Sequence, residues 1–153
     1  MGVNGVKVYE NLARAQIQGA EAHWSIHLPA SLHMIGNVSY AYGRDLEHED
    51  PLPEIPPLES TVGIKYYNQH LDFWVQLNGR FVSNQSRVSQ LAGEDATPGF
   101  RTYDLRFGFT GISAVHIYAG VENLLDEAYY EHLNRNNIYS QGRNMYLTLQ
   151  TQF

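Results

Sequence analysis

The 153-residue sequence has no cysteine, only two lysines (Lys7 and Lys65) and no long apolar run. Without cysteine there is neither a disulfide framework nor a thiolate metal site. Without a stretch of roughly 18 apolar residues there is no candidate transmembrane helix. A formal charge of -6 offers no basic face, and neutralising a phosphate backbone needs one, so nucleic acid is not expected as a partner. The opening, MGVNGVKVYENLARA, has no basic segment leading into an apolar one, so no secretory signal is visible. Two expectations follow: a cytoplasmic protein, or a piece of a longer chain whose beginning lies elsewhere.

What the sequence does hold is 11 tyrosines and 13 glycines. With so few lysines, that balance favours aromatic-rich β structure over surface helices. Strict alternation of apolar and polar residues recurs along the chain, the period of a strand whose two faces meet different surroundings. Residues 12–28 set Ala20, Ala22, Trp24, Ile26 and Leu28 against Glu21, His23, Ser25 and His27. The same pattern runs through residues 32–44, 60–68, 71–83, 100–110, 113–123 and from about 143 to the end. The fold expected is all-β, an antiparallel meander of about seven strands. Glu21, Lys65, Asp72, Arg80, Asp104, Arg106 and Glu122 fall on the polar parity, and the apolar parity is expected to carry no charge.

A soluble sandwich or small barrel also alternates, with its apolar face inward. Three features favour the opposite orientation. Short connections (PAS near residue 30, NQH near 69, TGIS near 112) alternate with long ones (RDLEHEDPLPEIPPL, then those after Asn84 and Asn123). Tight turns at one end and long loops at the other characterise outer-membrane barrels. Most segments also reach the roughly 9–11 residues a spanning strand needs. Finally, Tyr40, Tyr42, Phe81 and Tyr103 sit at the long-loop end of the apolar face, and Trp24, Tyr66, Phe73, Phe109 and Phe153 at the short-turn end. Two aromatic girdles thus bracket an aliphatic middle, as at two membrane interfaces.

The end of the chain is more specific. AGVENLLDEAYYEHLNRNN, a spacer and GRNMYLTLQTQF resemble the terminus of TonB-dependent outer-membrane receptors: an Asn-Leu-aromatic-Asp run, a Tyr shortly after, a Gly-Arg and a last Phe. Asn123, Leu124, Asp126, Tyr129, Gly142, Arg143 and Phe153 match, while Leu125 stands where Phe is frequent. NLARAQIQGAEAHW resembles the family's strand opening with Gly19 and Glu21, and PLPEIPP its Pro-rich lead-in. The resemblance covers nearly the whole chain. It implies a segment of a 22-stranded transmembrane β-barrel in the outer membrane of a Gram-negative bacterium. Residues 1–11 would be the remnant of an extracellular loop, and residues 12–153 the C-terminal part of the barrel. The implied function is uptake of siderophore-iron, haem or other metal complexes, energised by TonB in the full-length protein. The implied partners are outer-membrane lipid, a plug domain and the remaining strands, the TonB complex through an N-terminal region, the barrel assembly machinery and a small metal-complex ligand. Phe153, Leu149 and Leu147 resemble the terminal signal for barrel assembly. The alternatives are a small soluble β-barrel or sandwich binding an apolar ligand, and the C-terminus of a porin outside this family.

Candidate sites follow from the same parity. His23, His27 and His33 share the polar face, with His27 and His33 flanking the turn at Pro29. Two or three imidazoles with Glu21 suit a transition metal; contact with a plug or with water is the plainer reading. The loop EHEDPLPE collects Glu47, His48, Glu49, Asp50 and Glu54, either to concentrate cations or simply as a solvated surface. Tyr129, Tyr130, Glu131, His132 and Arg135, with Asn134 and Asn137, combine aromatic faces with donors in the last long loop. They suit capture of a polar complex, or they order the loop around the NLLD turn. Arg80 and Asp104 are expected to pair across adjacent strands. No nucleophile, base and orienting acid stand in a recognisable spacing, and no Gly-rich phosphate cradle occurs, so neither an enzyme nor a resident cofactor is expected.

Overall fold

The computed structural model describes residues 14–134 and 136–151. The first residues of the expected opening strand, Arg135 and Phe153 lie outside these. The chain forms β1 (Ala15–Leu28), β2 (Leu32–Asp45), β3 (Glu59–Asn68), β4 (Phe73–Val82), β5 (Phe100–Ile112), β6 (Val115–Glu122) and β7 (Asn144–Thr151). Each strand pairs antiparallel with the next in one seven-stranded sheet. Among the described residues no helix is long and apolar enough to cross a membrane, which leaves crossing by strands open.

Strand ends are set by turn chemistry. The β1–β2 hairpin turns through Ala30 (φ 60°) and Ser31 (φ 57°), consecutive left-handed residues that match the strands' right-handed twist. β4 starts at Phe73 instead of residue 71 because Asn68 Oδ1 accepts the His70 and Leu71 amides, both at 3.0 Å. This side-chain turn holds residues 69–71 out of the ladder.

The register turns sequence parity into two faces. One row of partners runs Ile26, Met34, Ile64, Leu77, Leu105, Val121, Met145 across all seven strands. The neighbouring row, one residue along, runs His27, His33, Lys65, Gln76, Arg106, Gly120, Tyr146. A one-residue slip in any strand would exchange the rows there, so the pattern fixes the register. Rings lie across glycines of neighbouring strands on both faces: Trp24 over Gly36 on the apolar face, Trp74 over Gly108 and Tyr146 over Gly120 on the polar one. A Cβ at these glycines would occupy the ring's place. Lys65 Nζ sits 4.4 Å from the Trp74 ring centre. On the apolar face Phe73 contacts both Tyr66 and Phe107, each at 6.1 Å, and Phe81 meets Tyr103 edge-on at 5.9 Å.

The expectation of a charge-free apolar face fails at two positions. The parity of Tyr42 includes Arg44, and that of Tyr103 includes Arg101. Each is one residue inside the long-loop end of its strand, where the demand for an apolar surface relaxes.

Among the described residues the buried apolar side chains are Leu52, Ile55, Val82, Val88 and Phe100, all at the long-loop end. The sheet's apolar side is open instead: Leu147 and Leu149 of β7 are 68% and 64% exposed.

Candidate functional site

The three long connections, residues 46–58, 83–99 and 123–143, fold into a cap at one end of the sheet. Asp50 turns the first toward the second, its carboxylate accepting from Ser89 Oγ (2.6 Å) and from the Leu91 and Gln90 amides (3.2 and 3.3 Å). The Ser89 hydroxyl, then these amides, hold the Asp50 carboxyl below the usual aspartate range. Glu94 accepts the Glu54 amide at 2.8 Å and the Ser89 amide at 3.0 Å. Gln85, buried, donates to the Ile55 carbonyl at 2.8 Å. The acidic stretch thus spends Asp50 on ordering the cap, and Glu49 lies 3.5 Å from Arg44.

The third connection is clasped at both feet by the NLLD residues. Asn123 is 5% exposed with φ 48°. Its side chain accepts the Glu127 amide and donates to the Glu127 carbonyl, both at 2.9 Å, and its own amide reaches Asp104 Oδ1 at 3.0 Å. Asp126, with φ 58°, accepts the Arg143 amide at 2.8 Å. A Cβ on Gly142 would come within 2.9 Å of that carboxylate, so glycine before arginine is what the close approach allows. The Asn-x-x-Asp and Gly-Arg elements are therefore the two halves of one loop closure.

The residues expected to meet a ligand are tied into this cap. Tyr129 stacks on Phe100 with ring centres 4.1 Å apart. Glu131 binds Arg80 Nη1 at 2.6 Å, while Glu59 takes Arg80 Nε and Nη2 at 2.7 and 2.9 Å. Arg80 therefore does not pair with Asp104, which instead serves Asn123 and lies 3.6 Å from Arg106. Opposite Arg80 in the ladder is Thr102, and Asp104 faces Asn78. The side chain of His132 is 2% exposed, with Nε2 3.2 Å from Glu94 and Nδ1 3.1 Å from Thr97 Oγ1. Tyr130 meets Tyr139 edge-on at 5.5 Å, and Tyr139 is 65% exposed. Tyr139 was not singled out by sequence; only its pairing with Tyr130 across the loop marks it.

On the polar face His27 and His33 are register partners with rings stacked 4.4 Å apart, and His33 Nε2 bonds Ser25 Oγ at 2.9 Å. His23 is four residues up β1, opposite Asn37, about 13 Å along the strand. The three imidazoles do not converge, and no metal-holding group of three or more His, Cys, Asp or Glu occurs among the described residues. Two grooves open on this face: one of about 460 Å³ bordered by His23, Asn37, Thr61 and Asn78, and one of about 280 Å³ bordered by Arg80, Thr102, Asp104 and Arg106. The side of the sheet away from the apolar row is thus a polar wall, closed at one end by an ordered cap.

Several solved structures share this fold. A copper transporter, OprC, superimposes with a TM-score of 0.81 at 26% identity, over 91% of this chain and 24% of that one. The FrpB iron transporter of Neisseria meningitidis (F3-3 variant) gives 0.74 at 19% identity, over 91% and 24%. The ferric enterobactin receptor PfeA of Pseudomonas aeruginosa gives 0.72 at 17%, over 94% and 23%. The chain spans about a quarter of the length of these structures. No curated protein matches it in sequence. The family model described as TonB dependent receptor-like, beta-barrel matches residues 2–124, a span that holds β1 to β6 and the first half of the NLLD clasp. Seven meandering strands, two faces of opposite polarity and this match make the chain a member of the TonB-dependent receptor β-barrel family, whose proteins are receptors and not enzymes.

Proposed function

We propose that the chain is the C-terminal part of an outer-membrane receptor of a Gram-negative bacterium, which imports a metal or metal complex with energy delivered through TonB. The observation that carries this is the unbroken apolar row from Ile26 to Met145 on an open face, beside a row of imidazoles, amides and cations. Hydrocarbon on one side and a hydrated bore on the other account for both. A soluble sandwich would bring that apolar row to the centre of a closed body.

In this reading residues 12–153 complete the barrel with strands outside this chain, and residues 1–11 belong to an extracellular loop. The polar wall faces a plug domain, and the assembly machinery reads Leu147, Leu149 and Phe153. Siderophore-iron, haem and free metal ions are the ligand classes, in keeping with the copper, iron and ferric enterobactin named for the similar structures. Tyr130 and Tyr139 offer the ligand an aromatic edge at the mouth. Tyr129, Glu131 and His132 hold that loop in place, and Arg135 is proposed as a further ligand contact. His27 and His33 offer imidazoles lower on the bore, with His23 separate.

The test is growth of a receptor-deleted strain carrying the full-length gene on defined iron, haem, zinc or copper sources. Restored growth on one source, lost when the TonB system is deleted, is the expected result. Growth restored on none would overturn the reading.

A further inference from the structure

We infer that the long-loop rim of the apolar face binds the phosphorylated headgroups of outer-leaflet lipids through Arg87 and Arg101, with Arg44 two residues beyond Tyr42 on the same face. The inference rests on the membrane reading above. All charge on the apolar parity of the described strands is arginine, and both strand positions, Arg44 and Arg101, are at the rim. Arg87 reaches the same side from the β4–β5 connection. Its guanidinium carbon lies 4.8 Å from the Tyr42 ring centre and 5.5 Å from that of Tyr40, and Nη2 donates to the Ala41 carbonyl at 3.1 Å. One donor of the five in the fork is thereby used; the rings hold the rest in place.

Arg101 is exposed and has no hydrogen-bond or ion-pair partner among the described residues. Arg44 faces only Glu49, whose side chain is 81% exposed, an ion pair of the weak, solvated kind. An arginine sunk in hydrocarbon is costly, but at the headgroup level its planar fork meets phosphate oxygens with short, charge-assisted hydrogen bonds. Directly inward of the rim the same face is aliphatic, through Ile64, Leu77 and Leu105. Phosphate above hydrocarbon is the chemistry of a phospholipid or phosphorylated glycolipid, and a free phosphate would leave the aliphatic part unused.

The test uses the full-length receptor in phosphatidylcholine nanodiscs doped with a phosphorylated outer-leaflet glycolipid or with the same lipid dephosphorylated. Native mass spectrometry then counts the lipid retained. An arginine near an anionic surface is worth about fivefold in binding, so the double variant R87Q/R101Q should retain about thirtyfold less phosphorylated lipid. R87K/R101K should fall between, keeping charge without the fork. R101Q alone, at a site with no protein partner to lose, should fold normally and show the fivefold effect. Inorganic phosphate should not displace the lipid. Equal retention of the two lipids by the unaltered receptor, or no change in R101Q and R87Q/R101Q, would overturn the inference. Uptake in cells separates the two readings: intact metal uptake with equal retention removes this inference alone, and failed uptake on every source removes the transport function.

Discussion

Leu147 in β7 is 68% exposed, whereas Val88 in the cap is 7% exposed. Residues of similar hydrophobicity sit in opposite environments within one chain, and the contrast divides the molecule. The wall gains its order from ladder hydrogen bonds and leaves its apolar row open, the side that the proposed reading gives to lipid. The cap is built as a small water-soluble fold, with Leu52, Ile55, Val82, Val88 and Phe100 buried together and buried polar groups such as Asn123 and Gln85 bonded around them. The lesson is that the same apolar side chain has to be judged by the medium its face meets.

The comparison breaks most visibly if the wall's two faces are swapped one residue at a time. In the full-length receptor Leu77→Arg should cost about 2–4 kcal/mol, the price of a charge at the middle of a lipid-facing strand, read from unfolding in lipid vesicles. Gln76→Arg, on the other face, should stay within about 0.5 kcal/mol. Equal costs would remove the distinction between the faces.

Cap variants should act on the loops and leave membrane insertion alone. Arg80→Ala strands the Glu59 and Glu131 carboxylates, and should loosen the last long connection by about 1.5–3 kcal/mol, seen as faster proteolysis within residues 123–143. Asn123→Ala removes both side-chain bonds to Glu127 and places alanine at a left-handed φ. About 1–2 kcal/mol is expected there, measured as lost amide protection at residues 124–127. If either variant instead abolished insertion, cap and wall would be one cooperative unit.

The smallest effect is with acid. Asp50's carboxyl is held below its ordinary value, so its contribution is complete above that value and is lost as the pH falls through the lowered one. Hydrogen exchange at the Gln90 and Leu91 amides should therefore rise below about pH 4, while the β4–β5 ladder is unchanged. An Asp50→Asn receptor should show no such pH step.

The wall was legible in sequence because its rule is local. Period-two alternation needs no knowledge of partners, so Ile26, Ile64, Leu77 and Leu105 declared their face alone, and strand ends fell within about three residues of those observed. Arg44 and Arg101 escape the parity rule because a strand tip lies where the demand for an apolar surface relaxes. The cap was less legible because its contacts are long-range. Nothing near Arg80 in the sequence points to Glu131, 51 residues away, and a guess from adjacent strands chose Asp104 instead. Equally, Glu131 and His132 have the composition of a ligand grip; only coordinates show Glu131 spent on Arg80 and His132 buried against Glu94. The NLLD residues lie between these cases: the resemblance flagged them, and the hydrogen bonds to Glu127 and Arg143 supply the reason.

The rings laid over glycines also have a practical use. The chain's two tryptophans, Trp24 and Trp74, occupy opposite faces of the sheet, so they form a matched pair of optical reporters. With other tryptophans of a full-length receptor replaced, brominated acyl chains should dim the emission of Trp24, and aqueous iodide that of Trp74. A single fluorescence titration would then read out which way the ribbon faces in a living bilayer.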